Sequence, residues 1–240
     1  MSSLSAHHLP WDSTFFGYKV CQLEGTVSNN GELASQLNEL KTDKVQLVYW
    51  AVEPDDLNSQ QAAANQTAFL ADKKTTYLRT VPLDQSFNNQ PSIRSYLHQP
   101  ASKSLYNLAL QSSAYSRYAL DPHLKSEAAR LYRTWLDNSL KGEIAREVLV
   151  YEKEGVPAGL LTLGEKNHRA DIGLLAVDEQ YRGQGIGQQL MQTAFDTTLQ
   201  WGYNQIQVVT QQANTGACAF YEKQGFEIEK IQYIYHFWLS

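Results

Sequence analysis

The chain has 240 residues and a formal net charge of −5, with 42% hydrophobic and 19% charged residues. This composition supports a globular core rather than disorder, and the acidic balance argues against a nucleic-acid partner, which needs a basic face. Apolar runs are only a few residues long and the Met1–His8 start lacks the basic and apolar parts of a signal peptide, so neither a membrane partner nor export is expected.

After the turn-like Pro10-Trp11-Asp12-Ser13, the segment Phe15–Leu23 is apolar enough for a strand. Leu33, Leu37 and Leu40 recur at helical spacing and predict a helix over Gly31–Leu40. Val45–Val52 reads as a buried strand stopped by Glu53-Pro54, Asp56–Asn65 as a short helix and Thr75–Val81 as an alternating strand. The polar stretch Asp84–Pro91 is the best linker in the chain. It separates a smaller α/β half over residues 1–84 from a larger one over 92–240.

In the larger half, Ser102–Ser113 and Lys125–Leu140 are predicted helices, the second with Ala128, Leu131, Tyr132, Trp135 and Leu136 on one stripe. Between them, Ser116–Pro122 is expected to be a loop. Strands follow at Glu147–Tyr151 and Pro157–Leu163, joined by a Glu154-Gly155 hairpin, and at Arg169–Val177. A helix over Ile186–Trp201 should end at Gly202, a strand cover Ile206–Thr210, and a helix over Thr215–Gln224 end at Gly225. Two strand-like runs close the chain.

Chemistry concentrates where the third of these strands meets the long helix, in Asp178-Glu179-Gln180-Tyr181-Arg182-Gly183-Gln184-Gly185-Ile186-Gly187. Glycines there permit positive φ and close approach of a ligand, and the amides of a helix start face an anion. Gly183, Gln184, Gly185, Ile186, Gly187 and Gln188 would supply those amides and Arg182 a positive charge. The order is not Gly-x-Gly-x-x-Gly, Gln211 stands where a dinucleotide-binding strand would end in an acid, and no Gly-Lys-Ser/Thr follows. A tight strand-to-helix turn that binds nothing is the other reading of the loop alone. Cys21 and Cys218 form neither a disulfide framework nor a metal cluster. They fit a reducing cytoplasm, and no metal is expected.

Arg182, Gly185 and Gly187 match the Arg/Gln-x-x-Gly-x-Gly/Ala signature of the GNAT acetyltransferase superfamily, which the chain resembles from about Ser102 onward. Leu174–Asp178 looks like that family's cofactor strand. Asn214, followed seven residues later by Tyr221 and then by Gly225-Phe226, looks like its second signature. The spacing has a physical sense: Asn214 can cap the helix, and about two turns later Tyr221 lies on the same face. The resemblance implies an α/β GNAT fold, with a mixed central sheet splayed at the cofactor strand. It further implies acetyl-CoA as co-substrate, paired through the backbone of Leu175, Ala176 and Val177, held at its pyrophosphate by the loop and reached by Asn214. Tyr221 would protonate the departing thiolate after direct attack by an amine. Gly173 suits the bulge such a splay needs. Cys218 reads as an inert small hydrophobe, while His168 and Asp171 are candidates for the general base or simply an exposed hairpin flank.

A narrower resemblance, to the TDP-fucosamine (TDP-4-amino-4,6-dideoxygalactose) N-acetyltransferases, rests on Trp11–Gly17, Ser116-Arg117-Tyr118 and Tyr132–Trp135. It implies a nucleotide-linked amino sugar as acceptor, with Arg117 on a diphosphate and Tyr118 or Trp11 stacking on rings. Several alternatives stay open: another primary amine as acceptor, a non-catalytic CoA-binding regulator, Trp11, Phe15 and Phe16 as packing residues, and Arg117 as a cap or a partner of Asp121. The apolar Tyr233–Leu239 end leaves a homodimer open.

Overall fold

A computed structural model of the chain describes residues 4–83 and 92–239; the expected linker over Asp84–Pro91 lies outside them. The elements in chain order begin with β1 (Ser5–His8), α1 (Pro10–Phe16), β2 (Lys19–Glu24), α2 (Asn30–Thr42), β3 (Val45–Val52), α3 (Leu57–Asn65) and β4 (Phe69–Thr80). Next come β5 (Ile93–Ser95), α4 (Lys103–Ser112), α5 (Arg117–Leu120), α6 (Lys125–Leu140), β6 (Glu147–Lys153), β7 (Val156–Lys166) and β8 (Arg169–Val177). The chain ends with α7 (Ile186–Gln200), β9 (Gln205–Gln211), α8 (Thr215–Lys223) and β10 (Glu227–Trp238).

Contacts divide the chain into two compact units, Met1–Thr75 with Ile231–Ser240, and Thr76–Lys230. In the first unit β2 lies parallel to β3, and β1 is antiparallel to β2. Tyr233–Trp238 of β10 pair antiparallel with β3, which is why the end of the chain counts with this unit. Its core gathers Leu23, Leu33, Trp50, Ala63 and Phe237, all nearly inaccessible. Trp50 hides its ring completely because its indole N–H finds the Gly25 carbonyl at 3.1 Å, so no buried donor is left over.

The first unit also corrects the expected strand over Phe15–Leu23. Its first two residues belong to α1, and the extended chain resumes only at Lys19. Pro10 at the helix start, Asp12 in the first turn and the left-handed Gly17 at its end (φ 80°) are a complete set of start and stop signals. They override the apolar character of Phe15 and Phe16, which meet edge-on instead, 5.1 Å apart.

In the second unit the strands run in the order β4, β9, β8, β7, β6, β5. The β8–β9 pair is parallel, and β5 to β8 form an antiparallel meander. Helix α7 covers one face with Ile186, Leu190, Met191, Ala194 and Phe195, packed on Ala158, Leu161, Leu163, Ile172, Ile206 and Val208. Helices α4 and α6 contact each other, α4 meets β7 and β8, and α6 reaches β6. The Glu154-Gly155 turn forms as expected, both residues having positive φ (54° and 78°), the combination a two-residue hairpin needs.

The segment Ser116–Pro122, expected as a loop, contains the single-turn α5. The Ser116 hydroxyl accepts the Ala119 N–H at 3.2 Å and caps it, a signal too local for periodicity to register. The two closing strand runs are one strand, β10, of 12 residues. Strands β1 and β5, of four and three residues, were invisible in the sequence because so short a segment carries no period.

Candidate active site

The decisive local feature lies in β8. Leu175 pairs with Leu161 and Ile172 with Leu163, so Gly173 and Leu174 together oppose the single residue Thr162, a β-bulge. The extra residue inverts the side-chain alternation. Ala170 and Ile172 face α7 before the bulge, and Leu175 and Val177 face it afterwards. The parallel pairing with β9 covers Ala170–Ile206, Asp171–Gln207 and Ile172–Val208 and stops there. From Gly173 on, the β9 side of β8 is therefore a free edge, where alternate residues present unpaired N–H and C=O groups. Leu175 and Val177 turn their main-chain groups to this edge, where the Val177 carbonyl accepts from Arg182, while Ala176 between them faces β7 like Asp178, whose N–H donates to the Ala158 carbonyl; the bulge expected at Gly173 forms.

At the end of that edge the chain turns through a 3₁₀ segment, Glu179–Tyr181, into the glycine loop. Gly183 and Gly185 both hold positive φ (77° and 79°), and a Cβ on either would point into open space. Conformation rather than crowding thus requires glycine there. Gly185 is the N-cap of α7 and brings no side-chain cap. The backbone N–H groups of Ile186, Gly187 and Gln188 at this helix start make no hydrogen bond to a described residue. Two cations flank them. The Arg182 Nε donates to the Val177 carbonyl and its Nη2 to Gln111 Oε1, each at 3.1 Å. Lys153 donates to Gln184 Oε1 at 2.7 Å and lies 4.8 Å from the Tyr181 ring centroid. Both are bonded to neutral oxygens rather than to carboxylates, so their charge remains available to an anion.

Lys153 and Gln111 were missed in the sequence. They come from β6 and the end of α4, 29 and 71 residues before Arg182, and only the folded sheet brings them to the loop. Gln111 also turns its amide toward Asp178 (3.4 Å), while Asp178 accepts the Gln180 N–H.

The second motif arrives from α8. A Cβ on Gly187 would fall 3.3 Å from the Phe220 ring and 3.6 Å from Val177, so the strand end, the loop and α8 meet at that point. The Asn214 Oδ1 caps α8 by accepting the Ala217 N–H (3.2 Å), and its side-chain NH₂ has no partner among the described residues. Tyr221 is buried, its ring surrounded by Tyr77, Phe220 and Phe226 at centroid distances of 5.6–5.9 Å. Its hydroxyl makes no hydrogen bond to a described residue. Burial, with a smaller contribution from Cys218, pushes its pKa well above that of a free phenol.

Around it Tyr77 donates to Glu222 (3.0 Å), and its own pKa is raised by burial and by its hydrogen bonds to Cys218 and Glu222. The Arg79 guanidinium sits 4.0 Å from the Phe195 centroid and donates to the Gln224 carbonyl, closing the C-terminal end of α8. Cys218 is half-buried with its thiol 3.7 Å from the Gln211 carbonyl.

The remaining sequence candidates lie apart from this point. His168 is exposed in the β7–β8 turn with φ 58°, at the far end of β8, about 20 Å of strand from Leu175. Asp171 is held by Gln207 at 2.6 Å. Arg117 lies on α5, its guanidinium 4.8 Å from the Tyr118 centroid and 2.8 Å from the Tyr118 hydroxyl, to which it donates. In the first unit Trp11 is half exposed and stacks on Phe15 at 5.1 Å. Among the described residues no group of three or more His, Cys, Asp or Glu could hold a metal ion, and no helix is long and apolar enough to cross a membrane.

Several known proteins are similar to this chain. Residues 107–226 match the model of the "Acetyltransferase (GNAT) family". The chain is 24% identical over 95% of its length to the spore coat polysaccharide biosynthesis protein SpsD of Bacillus subtilis, covering 81% of that protein. It is 32% identical over 54% of its length to the dTDP-fucosamine acetyltransferase of Escherichia coli, of which it covers 56%. A functionally unknown conserved protein from Staphylococcus epidermidis has the same fold, with a TM-score of 0.70 at 14% identity over 98% of this chain and 91% of its own. With a bulged and parted strand, an uncapped glycine-started helix beside it, and the family match across half its length, this chain is an acyltransferase that belongs to the GNAT acetyltransferase family.

Proposed function

We propose that the protein moves the acetyl group of acetyl-CoA to the primary amine of a nucleotide-linked amino sugar. The observation that carries the cofactor assignment is the helix start of α7. Unclaimed amides and two cations bonded only to neutral oxygens converge there, a fit for a pyrophosphate without a metal. When bound, acetyl-CoA supplies a thioester that a neutral amine can open, forming a C–N bond as the C–S bond breaks, with the nitrogen shedding one proton to water as the sulfur takes one up. Gly183–Gln188 hold the diphosphate, and the free edge of Leu175–Val177 pairs with the pantetheine arm as an added strand. On that edge the backbone N–H of Leu175 faces the developing oxyanion, while that of Ala176 is turned to β7. The Asn214 amide reaches the arm from the start of α8. Tyr221 gives its proton to the departing sulfur, and the buried setting that holds the phenol protonated also raises the basicity of a thiolate beside it.

The acceptor assignment is supported by the likeness to a dTDP-fucosamine acetyltransferase and to a spore coat polysaccharide biosynthesis protein, and by the Arg117–Tyr118 pair, a cation laid on an aromatic ring. In this reading Arg117 takes the nucleotide diphosphate and Tyr118 a ring face. A polyamine acceptor would call for carboxylates there instead. The free thiols of Cys21 and Cys218 suit the cytoplasm, where we place the reaction. A thiol-release assay with acetyl-CoA and a panel of TDP-amino sugars, peptides and polyamines tests the acceptor; turnover of peptides or polyamines alone sinks the sugar.

Two further results follow. Arg182→Ala is expected to raise the KM for acetyl-CoA about tenfold or more, the loss of one charge-assisted contact, with kcat little changed. Lys153→Ala should act in the same direction and more weakly, since a flexible ammonium is a poorer phosphate clamp than a guanidinium. In steady-state kinetics, unchanged KM values in both variants would move the pyrophosphate elsewhere. The pH profile gives a second expectation. Because the Tyr221 pKa is raised, the proton stays on the phenol past its ordinary value of about 10. The rate should climb as the acceptor amine deprotonates, without a descending limb below about pH 10. A descending limb centred near pH 8 or 9 would assign the donor to another group.

A further inference from the structure

Above the bulge in β8 stands a side chain that the reaction has not yet used. Thr162 faces the doubled residues, and its hydroxyl accepts the Leu174 N–H at 2.8 Å, filling the bond the bulge would otherwise leave open. A Cβ on Gly173 would fall 2.8 Å from that hydroxyl, 3.4 Å from Trp135 Nε1 and 3.7 Å from its Cζ2. The absent side chain at Gly173 is therefore what allows the Trp135 indole to rest against the main chain of β8. Trp135 sits at the edge of the α6 stripe. Its neighbours Leu131, Tyr132 and Leu136 are buried and it is half-buried, with Tyr132 at a ring distance of 5.6 Å.

An indole nitrogen can only donate, and a tryptophan in such a setting ordinarily finds an acceptor. Trp135 Nε1 makes no hydrogen bond to a described residue, and it is not among the sealed polar atoms. An accessible, unmatched donor thus lies against Gly173, where β8 leaves β9 and two residues before Leu175, on the face opposite α7. The carbon under attack must lie within reach of Leu175 for its oxygen to meet the strand, which brings the acceptor's substituents next to the amine under Trp135.

We infer that Trp135 is a specificity-determining residue. Its N–H donates to an oxygen substituent on the carbon adjacent to the reacting amine, and its ring covers the neighbouring face of the acceptor. The role rests on the amino-sugar reading only for the identity of that oxygen, the vicinal hydroxyl of the sugar. An acceptor with the hydroxyl is preferred over its deoxy analogue, because the deoxy compound leaves the indole donor unmatched.

Trp135→Phe keeps an aromatic ring at the position and removes the indole N–H together with the five-membered ring, so the deoxy acceptor serves as the control for lost packing and a thermal melt like that of the wild type verifies the fold. Two acceptors are compared by thiol release: a TDP-4-amino-4,6-dideoxy sugar and its 3-deoxy analogue. The expected result is an acceptor KM raised about fivefold for the hydroxylated sugar, one neutral hydrogen bond lost, with the deoxy analogue and the acetyl-CoA KM unaffected. An equal loss for both acceptors, or none for either, overturns the assignment. The same comparison runs on 2-aminoethanol and ethylamine, and calorimetric binding of both pairs to the two proteins gives a readout without turnover. If only the simple amines react, the sugar reading fails while Trp135 is still judged by its preference for the amino alcohol.

Discussion

Replacing Tyr221 by Phe should lower kcat by about 10²–10⁴, the span a well-placed general acid supplies, while acetyl-CoA binding and thermal stability stay near wild type. The separation of the two effects comes from the environment of the side chain. The hydroxyl makes no hydrogen bond to a described residue, so its removal orphans no partner. The ring contacts with Tyr77, Phe220 and Phe226 do not involve it. A tyrosine kept for packing would show the reverse, little change in rate. Rate measurements paired with isothermal acetyl-CoA binding decide, and full turnover by the variant would show that the proton reaches the sulfur by another path. Tyr77→Phe is the matched control. It removes a phenol that is bonded to Glu222, and its effect should be an order of magnitude or more smaller, because Tyr77 acts on α8 and not on the thiolate.

Gly173→Ala should have the second large effect, and on both stability and rate. The new Cβ would lie 2.8 Å from Thr162 Oγ1, closer than such atoms approach. If Thr162 turns away, the Leu174 N–H loses its acceptor in a buried site, at about 1–3 kcal/mol. If the strand moves instead, Leu175–Val177 shift along their edge, and a displacement of an ångström is worth about 10² in rate. Denaturant melts should therefore show a loss of roughly 1–3 kcal/mol, and the residual folded enzyme should be markedly slower. A variant as stable and as fast as the wild type would mean that the bulge has no part in parting β8 from β9.

The long elements of both units were legible in the sequence because they are strongly patterned. The Ile186–Trp201 periodicity, ended at Gly202, gives α7 within a residue at its end, and Val45–Val52 is found as β3 in full. The failures share a cause. Phe15 and Phe16 look like strand residues one at a time, yet Pro10, Asp12 and Gly17 decide the local conformation. Strands β1 and β5 and the single turn α5 are each of four residues or fewer, so pattern carries no information about them. Near the candidate site, the left-handed turns at Gly183 and Gly185 and the Asn214 cap of α8 were readable because each is a local backbone event.

What the sequence determined alone is the family of the chemistry: a loop whose glycines need positive φ beside a helix start, and a second motif at fixed helical spacing. Those constraints act over a few residues and leave their mark in residue type. Tertiary structure decided everything that depends on two strands or two helices meeting. It brought Lys153 and Gln111 to the glycine loop, withdrew His168 to a distant exposed turn, buried Tyr221 among aromatic rings, and set Trp135 against Gly173. The reason is that register and packing are long-range conditions. A lysine on β6 reads the same in sequence whichever loop the sheet places beside it, and it meets the glycine loop only once β6, β7 and β8 are aligned.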